Sequence, residues 1–456
     1  MRVFNRYVSQ RHLTVFTGEL LVIFGSMAFV AHRYSPGSEP QTAIWKGAIV
    51  TVLCLLCLYY NDLYNLTVVR TGREVFIRLL QSVGSALILV ALLYLALPWL
   101  VVADGAFLLA AAIFLTGILV WRLAFNHIAT HSFGERILIV GTDSTAQTIA
   151  RQVLAQQDFA YEIVGFIDED PTRLGESVVN PCIVGTPADI ERLVAQHDID
   201  RIFVGMSDRR GRLPVRELLR AKLRGVRVEE VNTVYERLTG KLLVEDLRPS
   251  WLIFSDDFCA SRLTRQSKRG FDILLALTGL ALSSPFLLLT AIAVWLDSGF
   301  PILYRQTRVG ENGRIFTLAK FRSMRKDAEQ GTPIWACAED ERVTRIGRLI
   351  RKARLDELPQ LWNVLRGDMS FVGPRPERPF FVDQLAETIP FYEQRHAVKP
   401  GITGWAQVKY RYGASLEDSL EKLRYDLYYV KHLSLSFDLT ILFDTVKVVL
   451  FAKGAR

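Results

Sequence analysis

The sequence predicts a three-part membrane protein. An α-helical membrane bundle covers 1–130, an α/β domain covers 131–255, and a mostly α-helical domain covers 262–456 with its own membrane helix at 270–296. Three observations carry that prediction. Half of the residues are hydrophobic and the apolar ones gather in long runs near the start, which marks membrane spans rather than a large soluble core. Strand-like and helix-like stretches then alternate through about 136–255, the pattern of a parallel sheet covered by helices. A fifth apolar run contains Ser283-Ser284-Pro285 and has cations on both flanks.

Four apolar runs, 13–31, 43–60, 79–101 and 105–125, approach the ~20 residues that span a bilayer as a helix. Arg2, Arg6 and Arg11 precede the first, and Arg70, Arg73 and Arg78 fall between the second and third. The other two loops are poor in cations, with Arg33 and Lys46 in one and none around Asp104 in the other. The positive-inside rule turns this asymmetry into four crossings with both ends in the cytoplasm. The first run is too long for a signal-peptide core and no clear small-residue cleavage site follows, so it is expected to be retained. Glu19 lies inside it. A carboxylate in a membrane span is a functional candidate, although one near a helix end can also reach the interface.

In the middle domain, 136–142 reads as a buried strand ending in a glycine turn, followed by a helix over 146–156. Strands over 163–168, 182–185, 201–206 and 226–231 alternate with helices over 190–196 and 215–224, the second helix opened by Pro214. The expected fold is Rossmann-like. A dinucleotide turn needs three glycines at fixed spacing so that the backbone can approach a pyrophosphate. Here the turn reads Gly141-Thr-Asp-Ser-Thr-Ala146, and the Asp143 carboxylate would repel that anion. Asp168 sits where a ribose-binding acid is found. One glycine and one acid favour a structural or regulatory domain over a nucleotide-binding one, and redox catalysis least.

Charge is uneven. The net charge is +8, and residues 261–456 hold 30 Lys+Arg against 21 Asp+Glu, so the C-terminal domain carries the whole excess. Such a balance suits anionic headgroups or phosphate-bearing substrates. No helix-turn-helix, zinc or single-strand-binding signature supports a nucleic-acid partner. The cysteines, Cys54, Cys57, Cys182, Cys259 and Cys337, and the scattered histidines give no disulfide or transition-metal spacing.

The run 270–296 is long enough to cross. Pro285 in its middle removes a backbone donor and clashes with the carbonyl four residues back, and a serine hydroxyl can satisfy a carbonyl so freed. Lys268 and Arg269 precede the run, and Arg305, Arg308 and Arg314 follow it. A crossing helix would leave one basic flank outside. A hairpin that dips into one leaflet, turns at Ser284-Pro285 and returns keeps both in the cytoplasm. A kinked spanning helix is the alternative.

Three stretches then concentrate unusual residues: Leu318-Ala-Lys320-Phe-Arg322-Ser-Met324, the segment 351–376, and Lys399-Pro-Gly-Ile-Thr-Gly-Trp405-Ala-Gln407-Val. Residues 344–354 form a cationic amphipathic helix, and Asp356-Glu357 follows it. Neighbours on a helix point about 100° apart, so the two carboxylates are no tight pair, yet both can reach one Mg2+ shared with a substrate diphosphate. Arg351 and Arg354 are expected to hold Asp356 ionised and usable as a nucleophile. Pro374-Arg375-Pro376 is stiff and offers Arg375 to a phosphate with little entropy to lose. An Asp-Glu pair by itself usually marks a solvated helix start. The flanking arginines and the membrane helix give this one more weight. The tail 436–450 alternates at helical spacing and suits an interfacial helix or an ordinary packed one.

These stretches resemble the polyprenyl-phosphate hexose-1-phosphate transferases, the monotopic phosphoglycosyl transferases of bacterial glycan assembly. The likeness runs from about 268 to 452, through Lys-Arg-x-Phe-Asp, the Ser-Pro break, Lys-Phe-Arg-Ser-Met, Leu-Asp-Glu-Leu-Pro-Gln, Gly-Asp-Met-Ser-Phe-Val-Gly-Pro-Arg-Pro and Lys-Pro-Gly-Ile-Thr-Gly-Trp-Ala-Gln-Val. The four-helix front and α/β middle are similar to the large members, whose middle domain resembles a CoA- or nucleotide-binding fold. The overall build also looks like the sugar transferases of exosortase-associated gene clusters. The resemblance implies a re-entrant helix and a catalytic domain on the cytosolic side of the bacterial inner membrane. It implies that Asp356 attacks the β-phosphate of a UDP-sugar and releases UMP, after which polyprenyl phosphate takes the phosphosugar from the aspartyl intermediate. It further implies that Glu357 and Mg2+ assist, and that Lys320, Arg351 and Arg375 lie near substrate phosphates. Arg354 stands where the family often has a small residue. The implied partners are the UDP-sugar, the lipid and the membrane; a homo-oligomer is compatible with them. Two other readings are weaker. A nucleotide-sugar sensor or scaffold does not need the intact Asp356-Glu357 pair, and four short-looped spans with one embedded acid make a poor transporter.

Overall fold

A computed structural model gives the chain's structure over residues 2–3, 6–7, 10–34, 40–64, 72–101, 107–132, 134–155, 161–206, 213–247, 258, 261–325, 328, 341–410, 413 and 415–450. It forms two compact units, Tyr7–Val234 and Tyr235–Arg456.

The first unit opens with four apolar helices, α1 (Gln10–Tyr34), α2 (Pro40–Tyr60), α3 (Gly72–Ala96) and α4 (Phe107–Ser132). α1 and α3 contain stretches long and apolar enough to cross a membrane; the described apolar stretches of α2 and α4, Ile44–Tyr60 and Leu109–Phe125, are slightly shorter. Ile23, Leu58, Leu79 and Ile118 are buried in the bundle's core, whereas Leu21, Leu92 and Leu123 are exposed. α1 and α4 approach closely at Gly18, where a Cβ would stand 2.0 Å from the Trp121 ring. The third span, expected over 79–101, lies earlier. α3 starts at Gly72 and stops at Ala96, and Pro98 opens a separate 3-10 turn. Proline disfavours helical backbone in the residue before it, which ends α3 there. Arg73 and Arg78 therefore stand on α3 rather than in a loop. Glu19 is taken up inside the bundle. It is fully buried, pairs with Arg122 at 2.7 Å and accepts from the Tyr64 hydroxyl at 2.5 Å.

The rest of this unit is a parallel sheet of β1 (Glu135–Val140), β2 (Tyr161–Ile167), β3 (Ile183–Gly185), β4 (Arg201–Val204) and β5 (Arg227–Glu230), ordered β3-β2-β1-β4-β5. Helices α5 (Ser144–Ala155), α6 (Ile190–His197) and α7 (Val215–Leu223) connect the strands, and α8 (Val231–Thr239) follows β5. The order reverses direction between β1 and β4, the switch point of a doubly wound sheet. Ile137 to Val140 are all buried because helices cover both faces. After β1, Gly141 has φ +104°, and a Cβ there would lie 2.9 Å from the Gly205 carbonyl oxygen. Asp168 is engaged internally: Oδ2 accepts from Thr142 at 2.5 Å and Arg173 at 2.6 Å, and Oδ1 accepts from the Asp170 amide at 3.0 Å.

The second unit begins inside the stretch expected to belong to the α/β domain. Leu242, Val244 and Leu247 are buried in one core with Trp405, Tyr428 and Phe437, which fixes that segment to this unit. α9 (Arg262–Ser298) follows, its first turn capped by Ser261 accepting from the Thr264 amide. It runs 37 residues without interruption, with Pro285 inside. Lys268 donates to the Val372 carbonyl at 3.0 Å and to Asp438 at 2.6 Å, and Asp272 accepts from the Ser370 hydroxyl and the Phe371 amide, both at 2.9 Å. At the other end, Arg322 donates to the Ser298 carbonyl at 2.6 Å and also to that of Gly299. Both ends of α9 are thus fastened to this unit, while Leu277, Leu282, Phe286, Leu288 and Leu289 between them are exposed.

The unit continues through an antiparallel hairpin, β6 (Leu303–Val309) and β7 (Ile315–Phe321), then α10 (Arg345–Lys352), α11 (Gln360–Arg366) and β8 (Ser370–Val372). It ends with α12 (Pro379–Thr388), β9 (Gly401–Thr403), α13 (Trp405–Lys409), α14 (Leu416–Lys431) and α15 (Leu435–Leu450), β8 pairing parallel with β9. α15 is a packed helix on one side, with Phe437 and Ile441 fully buried, while Leu439, Val446 and Val449 are exposed.

Candidate active site

Lys320 lies near the end of β7, opposite Tyr304 of β6, with its Nζ 5.3 Å from the Tyr304 ring centroid. Strand alternation puts Gln306 and Arg308 on the same face. Two contacts bring the next elements to this edge. Asn363 of α11 donates to the Thr317 carbonyl at 2.8 Å and accepts from the Ala319 amide at 3.2 Å. The Thr344 amide, at the start of α10, donates to the Ser323 carbonyl at 3.1 Å. Gly347 sits so close to that carbonyl that a Cβ would stand 1.9 Å from its oxygen. The motif around Lys320 is therefore partly structural: Phe321 and Arg322 secure α9, Ser323 receives α10, and Lys320 alone of these enters the charge cluster.

Beyond α10 the chain turns at Arg354, whose φ of +57° is left-handed, and enters the 3-10 turn Leu355–Glu357. A small residue, above all glycine, takes that conformation with least strain. Asp356 is buried, only 8% exposed. Burial, and then the neighbouring Glu357, push its carboxyl up from 3.8 to about 6 against the pull of Lys320, Arg351 and Arg354. Arg351 and Arg354 pull toward the ionised form, as expected, but lost hydration outweighs that pull. The carboxylate form still dominates at neutral pH. Lys320 moves the opposite way, lowered by burial and then by Arg308 from 10.5 to about 8, with Asp356 opposing. Glu357 turns to Arg375, whose guanidinium is 3.3 Å from it.

Lys320, Arg351, Arg375, Asp356 and Glu357 thus share one charge cluster, while Ser284 and Pro285 belong to α9 itself. Sequence reading passed over Tyr304, and took Arg308 only as a flanking charge. The period-two alternation of 303–309 opposite Lys320 was the signal that could have placed both. A buried carboxylate among cations can attack phosphorus while those cations hold the phosphate charge. Among the described residues no group of three or more His, Cys, Asp or Glu could hold a metal. Two adjacent carboxylates fit the part-share of a Mg2+ shell that substrate phosphates and water complete.

Comparison with known proteins gives two family matches. Residues 263–452 match the bacterial sugar transferase family, and residues 59–220 match a CoA-binding domain. The chain is 44% identical over 241 residues to a UDP-N-acetylgalactosamine-undecaprenyl-phosphate N-acetylgalactosaminephosphotransferase of Aeromonas hydrophila, covering 53% of this chain and 56% of that one. It is 33% identical to a UDP-glucose:undecaprenyl-phosphate glucose-1-phosphate transferase of Escherichia coli K12, covering 71% and 70%. A protein of the same description from Xanthomonas campestris pv. campestris is 28% identical, covering 100% of this chain and 96% of its own. The chain therefore spans little more than half of the Aeromonas relative. Among solved structures, a Rex-family repressor matches at 16% identity with a TM-score of 0.20, covering 27% of this chain and 68% of that one, a likeness too slight to carry an argument.

Proposed function

This chain belongs to the bacterial sugar transferase family, and on that premise we propose that it transfers hexose-1-phosphate from a UDP-sugar to polyprenyl phosphate, with undecaprenyl phosphate as acceptor. The product would initiate exopolysaccharide or another lipid-linked glycan. The observation that carries the proposal is Asp356, a buried carboxylate in a cluster that holds Lys320, Arg351 and Arg375. Asp356 forms a bond to the sugar-bearing phosphorus as the bond to the UMP oxygen breaks. The lipid phosphate oxygen then attacks the same phosphorus and frees the carboxylate. Lys320, Arg351 and Arg375 balance the phosphate charge in both halves. Asp356 and Glu357 would hold Mg2+, which when bound neutralises diphosphate charge.

The same reading makes α9 re-entrant. A straight helix of 37 residues would be about 55 Å long. Its two ends contact one folded unit, through Lys268 and Arg322, and that supports a helix bent at Pro285 with both ends on one face of the membrane. Basic residues on both flanks make that face the cytosolic side of the inner membrane. The α/β domain is given a structural or regulatory role. Asp143 and the internally bonded Asp168 do not fit a pyrophosphate-bearing cofactor at the turn after β1.

Asp356→Asn tests the proposal. Purified protein with undecaprenyl phosphate and a panel of UDP-sugars should release UMP from at least one, and the variant should release none. UMP release by the variant at the wild-type rate sinks the nucleophile assignment.

A further inference from the structure

The segment Pro374–Arg375–Pro376–Glu377 belongs to no helix or strand, yet each of its carbonyls is taken from outside. The Gly401 amide donates to Pro374 at 2.9 Å, Arg395 to Arg375 at 3.0 Å, Arg308 to Pro376 at 2.9 Å, and the Val309 amide to Glu377 at 3.0 Å. Two of these donors are backbone, supplied by β6 and β9 for general reasons of folding. The other two are arginine side chains, and one of them is buried.

Arg395 is 5% exposed. Its guanidinium donates to the Tyr392 hydroxyl at 2.6 Å and stands 2.7 Å from Asp426 of α14, which is 1% exposed. A buried ion pair is a poor source of stability, because both charges lose their water and well-packed apolar residues do as well or better. What it supplies is a fixed direction. The planar fork of Arg395 meets Asp426 and Tyr392 and still aims one donor at the Arg375 carbonyl, a geometry that lysine cannot reproduce.

We infer that Arg395, locked by Asp426, is a positioning residue for Arg375: it fixes the backbone from which the Arg375 guanidinium reaches Glu357 and the substrate diphosphate. This rests on the reading of Arg375 as a phosphate-binding residue. It goes beyond that reading by tying the strength of phosphate binding to a buried pair that touches no substrate.

A double-mutant cycle in the full-length protein tests the link, using UDP as the binding probe and UMP release from the accepted UDP-sugar as the activity. Arg395→Lys alone should weaken UDP binding and lower kcat/KM by about tenfold. In an Arg375→Ala background the same change should add less than twofold, because nothing remains to be positioned. A merely structural Arg395 would give losses that multiply, and multiplying losses overturn the inference. Should Arg395→Lys fail to fold, Asp426→Asn takes its place in the cycle with the same two expectations. Wild-type protein that binds UDP, more weakly after Arg375→Ala, but releases no UMP overturns the transferase reading, while the cycle on UDP affinity still decides the positioning role. Wild-type protein that does not bind UDP overturns both.

Discussion

The Ser284 hydroxyl donates at 2.8 Å to the carbonyl of Ala281, the acceptor that Pro285, four residues further on, leaves without an amide. The helix thereby crosses its proline with the lost hydrogen bond replaced, at a place where no water is available if α9 enters lipid. Ser284→Ala should lower stability by about 1–2 kcal/mol, read as a reduced melting temperature in detergent. Pro285→Ala restores the amide and removes the clash, so it should favour a straight, spanning α9. Cysteine labelling from either side of the membrane checks this, and an unchanged pattern in Pro285→Ala would refute the role given to the proline.

Activity should follow a bell-shaped pH profile. Asp356 must be ionised to attack, and its folded value is raised to about 6. Lys320 acts on phosphate when protonated, and its folded value is lowered to about 8. The limbs of kcat/KM should fall near these values, and Lys320→Arg should remove the alkaline one, since arginine stays charged. A profile flat from pH 5 to 9 contradicts the assignment.

The Asp356 shift also predicts a stability change. The folded state holds this proton more tightly than the unfolded chain does. Stability from this group is therefore present below the unfolded value of 3.8 and lost as pH rises through about 6. At pH 7 the buried carboxylate is a burden of roughly 2–3 kcal/mol, a two-unit shift at 1.36 kcal/mol each. Asp356→Asn should melt several degrees above wild type at pH 7, and the gap should close near pH 4. A variant that melts no higher at pH 7 counts against a buried charge.

Arg354 holds a left-handed backbone beside Asp356 and pulls its carboxyl down. Arg354→Gly should relieve strain worth about 1 kcal/mol, partly offset by glycine's extra freedom when unfolded. It should also move the acid limb of the pH profile upward. Thermal melts and the pH profile read the two effects separately, and an acid limb that stays in place removes Arg354 from the electrostatics of the site.

Glu19, fully buried, pairs with the part-buried Arg122 between α1 and α4. Glu19→Ala should cost up to about 3 kcal/mol, because Arg122 is left charged and only part-solvated. The double variant Glu19→Ala/Arg122→Ala should lose less than the sum of the single ones. UMP release per folded molecule should not change. A specific loss of turnover would make Glu19 functional rather than structural.

Much of this protein was legible in one dimension because its determinants are local. Apolar runs placed the helices, since a bilayer demands about 20 consecutive residues, although the third lies earlier than its run at both ends and Pro98 accounts for where it stops. Alternation of strand and helix foretold the α/β sheet, and the stiff Pro374-Arg375-Pro376 and the Asp356-Glu357 pair pointed to the candidate site. The tertiary structure decided what depends on distance through space. It set the sign of the Asp356 shift, because burial is a property of everything packed around a carboxylate and not of its sequence neighbours. Hairpin pairing brought Tyr304 and Arg308 beside Lys320. Only the fold could set Arg395 against the backbone of a residue 20 positions earlier, since no periodicity or propensity records a hydrogen bond from the 3-10 turn Tyr392–Ala397 to a distant loop.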